Sequence, residues 1–348
     1  MHHHTTQTLS PARAARMLLS LGSLTVGAAL ALALTGCADT TSNATGAKAP
    51  DDAAALSKGA NEVDDDFRSS DERREFADAI VKYGKPVRVG NGLARTYVLL
   101  ADERSKRPLE VGVALDERSL EGLPAPAAMK MAGPVPGGLM AHGSMTQFDL
   151  QLPEKSNLPF KFVELDWNPA GHEPPGIYDI PHFDFHFYTI TQDVRNSIDP
   201  TRPEYVAEAA NFPAPQFRFP YYVDAATAAG GIPAALAAVP RMGLHWLDVR
   251  SPELQNALGN PAGYKPFTKT FIYGSWNGQV SFAEPMITRA YILSKRHETD
   301  RAIRNEVTPV STAGDYQIAG YYPSAYRIAW NGRAKEYRIA LTQLAWHE

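Results

Sequence analysis

The chain has 348 residues, with 34 basic side chains against 38 acidic ones and a net charge of −4, a balance that argues against a nucleic acid partner, whose phosphates need clustered Lys and Arg. Its single cysteine forbids an intramolecular disulfide, so stability has to come from core packing. No stretch matches a P-loop, a Gly-x-Gly-x-x-Gly turn, a Cys-based metal site or a Gly-x-Ser-x-Gly elbow.

Arg13 and Arg16 precede an uncharged, mostly apolar run over residues 17–35, the order of a signal peptide's n-region and h-region. The run ends in Leu34-Thr35-Gly36-Cys37, which resembles the bacterial lipobox. The resemblance implies cleavage after Gly36 and acylation of Cys37, hence an exported lipoprotein of the cell envelope whose membrane partner is its own anchor. A transmembrane helix needs roughly 20 apolar residues and is the competing reading. It leaves unexplained why the one cysteine stands where lipobox chemistry requires it. His2, His3 and His4 fall inside the leader, residues 1–36, and are set aside. Residues 37–65 carry almost no large apolar side chain, cannot bury enough surface to offset ordering, and read as a flexible tether. Residues 66–348 then form a single β-rich domain.

Ser69-x-x-Glu72 reads as a capping box opening a helix on which Phe76, Ala79, Ile80 and Tyr83 share a face, with Gly84 as its stop. From there strand-like runs dominate, at residues 87–101, 109–115, 160–167, 182–190, 243–249, 267–275, 280–284, 287–293, 326–330 and 336–344. Asn91-Gly92, Asn277-Gly278 and Asn331-Gly332 lie between such runs, and Asn-Gly is a strong short hairpin signal. Short helices are expected over residues 204–210 and 225–238, the second interrupted by Gly230-Gly231 and Pro233. Residues 120–140 and 168–176 are Pro- and Gly-rich loops. The fold class expected is mainly β, an antiparallel β-barrel or sandwich with a few short helices, with α+β as the second choice.

Five histidines, His142, His172, His182, His186 and His245, cluster in the middle of the chain. Within Pro181-His182-Phe183-Asp184-Phe185-His186-Phe187-Tyr188, polar and aromatic residues alternate. A strand there puts His182, Asp184, His186 and Tyr188 on one face and the three phenylalanines on the other. The phenylalanines want a core, and burying the polar face is costly unless its groups are paired or bind something. At about 3.3 Å per residue, His182 and His186 stand roughly 13 Å apart and cannot share one ion on a regular strand, whereas Asp184 can pair with either. His245 and Glu284 also interrupt apolar, aromatic stretches. The blander readings make His245 a satisfied core histidine, give Glu284 to Arg289 or Lys269, and leave His172 in a loop. Taken jointly, the residues suggest His186, His245, Glu284 and His172 as ligands of one divalent transition metal, Zn, Mn or Fe. His182, Asp184 and Tyr188 are then the candidate acid-base groups.

The motifs Asn168-Pro169-Ala170-Gly171-His172, Pro181 through Tyr188, Met242-Gly243-Leu244-His245-Trp246 and Glu284-Pro285-Met286-Ile287-Thr288 resemble an uncharacterised family of exported bacterial proteins. A Thermus protein under extracytoplasmic stress-sigma control is one of its members. The resemblance spans roughly residues 85–295 and implies a β-rich fold without bringing an activity. Three functions therefore stay open: a metal-dependent envelope enzyme acting on a small molecule, a non-catalytic ligand-binding protein, and a structural or assembly lipoprotein.

Overall fold

Alternation of apolar and polar residues, period two, governs the folded part of the chain and builds antiparallel ladders throughout. The computed structural model describes residues 79–102, 104, 107–126, 145–153 and 157–348. The leader, Cys37, the tether, Ser69, Glu72, Phe76 and His142 lie outside the described residues.

In chain order the strands are β1 (Ile80–Tyr83), β2 (Val87–Val89), β3 (Gly92–Leu100), β4 (Pro108–Asp116), β5 (Thr146–Gln151), β6 (Phe162–Asn168), β7 (His182–Tyr188), β8 (Tyr222–Asp224), β9 (Leu244–Asp248), β10 (Lys269–Trp276), β11 (Gln279–Thr288), β12 (Asn305–Pro309), β13 (Gly320–Asn331) and β14 (Glu336–His347). Short helices are α1 (Gln192–Asn196), α2 (Tyr205–Ala210), α3 (Ala225–Ala228), α4 (Ala234–Ala237), α5 (Arg289–Ser294) and α6 (Arg301–Arg304). Sheet A runs β1-β3-β4-β14-β13-β12, with β2 sharing the edge of β3; sheet B runs β5-β6-β7-β11-β10-β9-β8. Neither sheet closes on itself, so the architecture is a two-sheet sandwich and not a barrel.

The sandwich core takes Val111, Val113, Leu115, Ile328, Ile339 and Leu341 from sheet A and Phe183, Phe185 and Phe187 from sheet B. All three phenylalanines are fully buried, and burial of each aromatic side chain contributes about 2 kcal/mol. The other face of sheet B is buried too. Residues of α2, α3 and α4 and of the loop after α1, among them Ile198, Tyr205, Ala209, Ala226 and Ala237, pack on Phe162, Tyr188, Met242, Leu244, Phe282 and Met286. The alternating strand β7 is thus sandwiched between an apolar core and a thin helical cover.

Three expectations need correction. Ile80–Tyr83 forms a strand and not the end of a helix, because it pairs with Leu100 through Tyr97 on β3. Over seven residues, apolar spacing of three and four does not outweigh an available ladder partner. The strands expected at 280–284 and 287–293 are one strand, β11, followed by a helix: pairing with β10 continues through Glu284 and Pro285, while pairing with β7 skips both, so the missing proline amide interrupts one side only. Thr288 then caps α5 by accepting from Tyr291 N. Finally, the first hairpin turns on Gly90-Asn91, one residue before Asn91-Gly92, since Gly90 supplies the positive φ of 53° and Gly92 pairs with Val89. At Asn277-Gly278 both residues have positive φ, 46° and 80°, as a tight hairpin demands.

Candidate metal centre

Register brings the polar faces of β6, β7 and β11 into one field. Glu164, Asp166 and Asn168 on β6 stand opposite His186, Asp184 and His182 on β7. Across β7, Met286 pairs with Asp184 and Phe282 with Tyr188, which leaves Glu284 beside His186. On the far side of β10, His245 pairs with Gly274. A Cβ on Gly274 would fall 2.0 Å from the Phe282 ring, so the missing side chain lets that ring lie between His186, at 4.7 Å between centroids, and His245, at 5.1 Å.

Two groups of donor atoms result. In the first, His186 Nε2 lies 3.4 Å and His245 Nε2 3.8 Å from the same oxygen, Glu284 Oε2. In the second, His182 Nε2 lies 3.2 Å from Asp184 Oδ1 and His172 Nε2 lies 3.5 Å from Asp184 Oδ2. Within each group the donor atoms of all three residues fall within 4.8 Å of one another. Donors held about 2.0 to 2.2 Å from a tetrahedral ion stand about 3.3 to 3.6 Å apart; the 3.4 and 3.5 Å separations fall on that edge length, with 3.2 Å just below it and 3.8 Å just above. Despite the short distances, His182 Nε2, Asp184 Oδ1, His186 Nε2 and Glu284 Oε2 make no aligned hydrogen bond. Their side chains are no more than 1% exposed, a setting in which an unsatisfied polar atom costs about 1 to 3 kcal/mol.

Second contacts orient these donors. His172 Nδ1 lies 2.7 Å from Glu173 O and His182 Nδ1 2.7 Å from Ile180 O. A carbonyl only accepts, so each Nδ1 carries the proton and each Nε2 is aimed into the site. Asn168 Nδ2 donates to Asp184 Oδ2 at 2.7 Å. His172 is delivered by a loop turn at Gly171, whose φ is +72° and whose Cβ would collide with Tyr178 O. His186 Nδ1 has Asp166 Oδ2 at 3.1 Å. A third trio, Glu164, Asp166 and His186, has a cation already: Arg195 from α1 pairs with Glu164, which also accepts from Gln147 Nε2 at 3.2 Å.

The electrostatics follow from burial and adjacency. Burial drives the His186 imidazole toward neutrality, but Glu284 and Asp166 on either side more than reverse this and push it up to about 9. Burial raises Glu284 and Asp166. Asp184 meets the same penalty, yet His182 and His172 hold it well below the usual carboxylate range. His172 is correspondingly raised, Asp184 outweighing burial, while burial followed by repulsion from His186 and His172 lowers His245 to about 3. Protons on His186 and His172 thus supply positive charge beside the buried carboxylates.

His186, His245 and Glu284 converge, as do His182 and Asp184. His172 joins the latter pair instead of the His186 group. Tyr188 stacks on His186 at 5.6 Å and 14°, but its hydroxyl points to Arg241 O at 3.5 Å, and burial keeps its pKa well above the ordinary value. Arg289 donates to Leu120 O and Lys269 to Glu306, so neither takes Glu284. Glu164, Asp166 and Arg195 are not among the residues that the sequence marks, although Phe162-Val163-Glu164-Leu165-Asp166-Trp167-Asn168 alternates as β7 does.

Residues 104–167 match a family described as TTHB210-like, hypothetical protein TTHB210. This match supports similarity to an uncharacterised family that includes a Thermus member. No curated protein and no solved structure matches the chain.

Proposed function

We propose that this chain is a lipid-anchored protein of the bacterial cell envelope that binds a divalent transition metal, Zn, Mn or Fe(II), through His186, His245 and Glu284 and uses it as an enzyme acting on a small molecule. The observation that carries the reading is the geometry of three donors. Two imidazole nitrogens stand 3.4 and 3.8 Å from one carboxylate oxygen, and neither His186 Nε2 nor Glu284 Oε2 has a hydrogen bond. Three protein donors leave a coordination position for water or substrate, which a bound ion would activate as a Lewis acid. His245, with 13% of its side chain exposed, is the edge from which a small molecule would arrive. The leader and the lipobox-like residues ending at Cys37 support export and anchoring.

One observation favours a second reading. His186 and Glu284 are only 1% exposed, and closed sites suit structural ions better than catalytic ones. Elemental analysis of the mature chain, purified in detergent without a tag, should find bound metal. In the cobalt-substituted protein, azide should shift the visible spectrum, because it needs an open position on the ion. Absence of metal after reconstitution refutes the metal reading, and a spectrum indifferent to azide leaves a non-catalytic binding or structural lipoprotein.

A further inference from the structure

We infer that the chain holds a second ion, in a separate site made by His172, His182 and Asp184. The inference goes beyond the reading of the His186 site and does not depend on it, since the two sets share no ligand.

Charge provides the first argument. Glu164, Asp166, Asp184 and Glu284 are four carboxylates on one buried face, each no more than 1% exposed. Among the described residues, only Glu164 has a guanidinium against it. A single divalent ion at Glu284 leaves Asp184, one strand over and two residues along β7, with only the His172 and His182 imidazoles facing it. Buried carboxylates persist when paired or coordinated.

Geometry provides the second. His182 is fully buried and its Nε2 lies 3.2 Å from Asp184 Oδ1 without forming an aligned hydrogen bond. Both atoms are buried donors of the kind a metal takes, and neither is used up by an aligned hydrogen bond to the other. His172 Nε2 approaches from the loop side at 3.5 Å from Asp184 Oδ2, and the two imidazole rings stand nearly perpendicular, 75° apart at 4.7 Å. Both rings are locked through Nδ1 to backbone carbonyls, and the carboxylate is held by Asn168. Such outer contacts orient metal-bound histidines and carboxylates.

The third argument is the wall around the group. Phe267 packs edge-on against His182 at 5.4 Å and against Tyr178 at 4.9 Å, and Tyr178 is tied down through its hydroxyl to Glu253 Oε1 at 3.2 Å. The wall is apolar toward the imidazoles, while His172, with 9% of its side chain exposed, lies at the outer rim. Two imidazoles and a carboxylate suit Zn, Mn or Fe(II) equally well. In this assignment His182 and Asp184 are ligands and not acid-base groups. The two centres lie along β7 on one face, with Asp184 and His186 about 6.6 Å apart at Cα.

The test strips the detergent-solubilised mature chain with chelator, removes the chelator, and titrates it with Co(II) alone, reading bound cobalt by elemental analysis. The wild-type chain should take up two equivalents. His182→Ala and the near-isosteric Asp184→Asn should each take up one, and His245→Ala should take up one. Circular dichroism of each apo variant checks that the fold is retained, and Asp184→Asn serves where His182→Ala does not fold. Uptake of one equivalent by the wild type, unchanged in Asp184→Asn, overturns the second site while leaving the His186 site standing. One equivalent lost in Asp184→Asn but kept in His245→Ala has the opposite meaning: the inference holds and the His186 site fails. No uptake by the wild type overturns both.

Discussion

The outer faces of the two sheets both bury charge, and they satisfy it in different ways. On sheet A, Glu336 receives Arg338 Nε at 2.7 Å with Arg95 at 3.5 Å, and Glu110 faces Arg327 at 3.2 Å and accepts from Tyr97 OH. On sheet B, Asp166, Asp184 and Glu284 face imidazoles. Guanidinium groups are permanent cations, so the sheet A carboxylates keep their countercharge at any physiological pH. Imidazoles can give up their protons, so the sheet B cluster is the one where the proposed ion could replace the countercharge. Buried charge alone therefore does not mark a site; the chemistry of the countercharge does.

Removing a carboxylate from the self-contained face should have the largest effect. Glu336→Ala takes the shared carboxylate from buried Arg95 and half-buried Arg338 and should cost about 3 kcal/mol of unfolding free energy, as read by denaturant titration, with the same loss in the presence of metal or chelator. A loss that depends on metal would erase the contrast between the faces. On sheet B, a metal held at a hundredfold excess over Kd should stabilise the wild-type chain by about 3 kcal/mol relative to the chelated chain, and this increment should shrink in Glu284→Gln. Equal thermal midpoints with and without metal would show that the imidazole face is as self-sufficient as the other.

Lysine provides an intermediate case. Glu306 on β12 receives Lys269 Nζ at 2.5 Å, Lys295 Nζ at 2.8 Å and Tyr291 OH at 2.6 Å; burial works against its charge, but these donors hold it down to about 2. A carboxyl depressed on folding contributes stability that is present above the unfolded pKa of about 4.5 and is lost as pH falls toward 2, here about 2 kcal/mol after allowing for partial exposure. Denaturation curves between pH 5 and 2 should lose that slope in Glu306→Gln. The smallest effect on the folded domain is expected from Cys37→Ser, which should abolish fatty-acid labelling while leaving the thermal midpoint of the domain where it was. Persistent labelling of that variant refutes the anchor.

Strong, long periodicities were the legible part. Strict alternation made both faces of β7 readable, and Asn277-Gly278 marked its hairpin. Short apolar runs were not: Ile287 to Leu293 is equally apolar as strand or helix, and the outcome depended on Thr288 capping and on where β7 ended. Convergence of His186, His245 and Glu284 could be argued from the cost of burying them. The partnership of His172 with His182 could not, because it depends on the loop path set by Gly171. Nor were the β6 carboxylates conspicuous, since Glu164 and Asp166 become part of the site only once β6 is known to neighbour β7.

The chain separations of the two proposed ligand sets differ by almost an order of magnitude. His172, His182 and Asp184 are brought together by the loop between β6 and β7, whereas His186, His245 and Glu284 need β7, β11, β10 and β9 in register across nearly a hundred residues. Closing the short loop costs far less chain entropy and belongs to an earlier stage of assembly. An ion bound by the local set can staple the β6–β7 hairpin while the rest of sheet B is still forming; one bound by the distant set can arrive only after the sheet is complete.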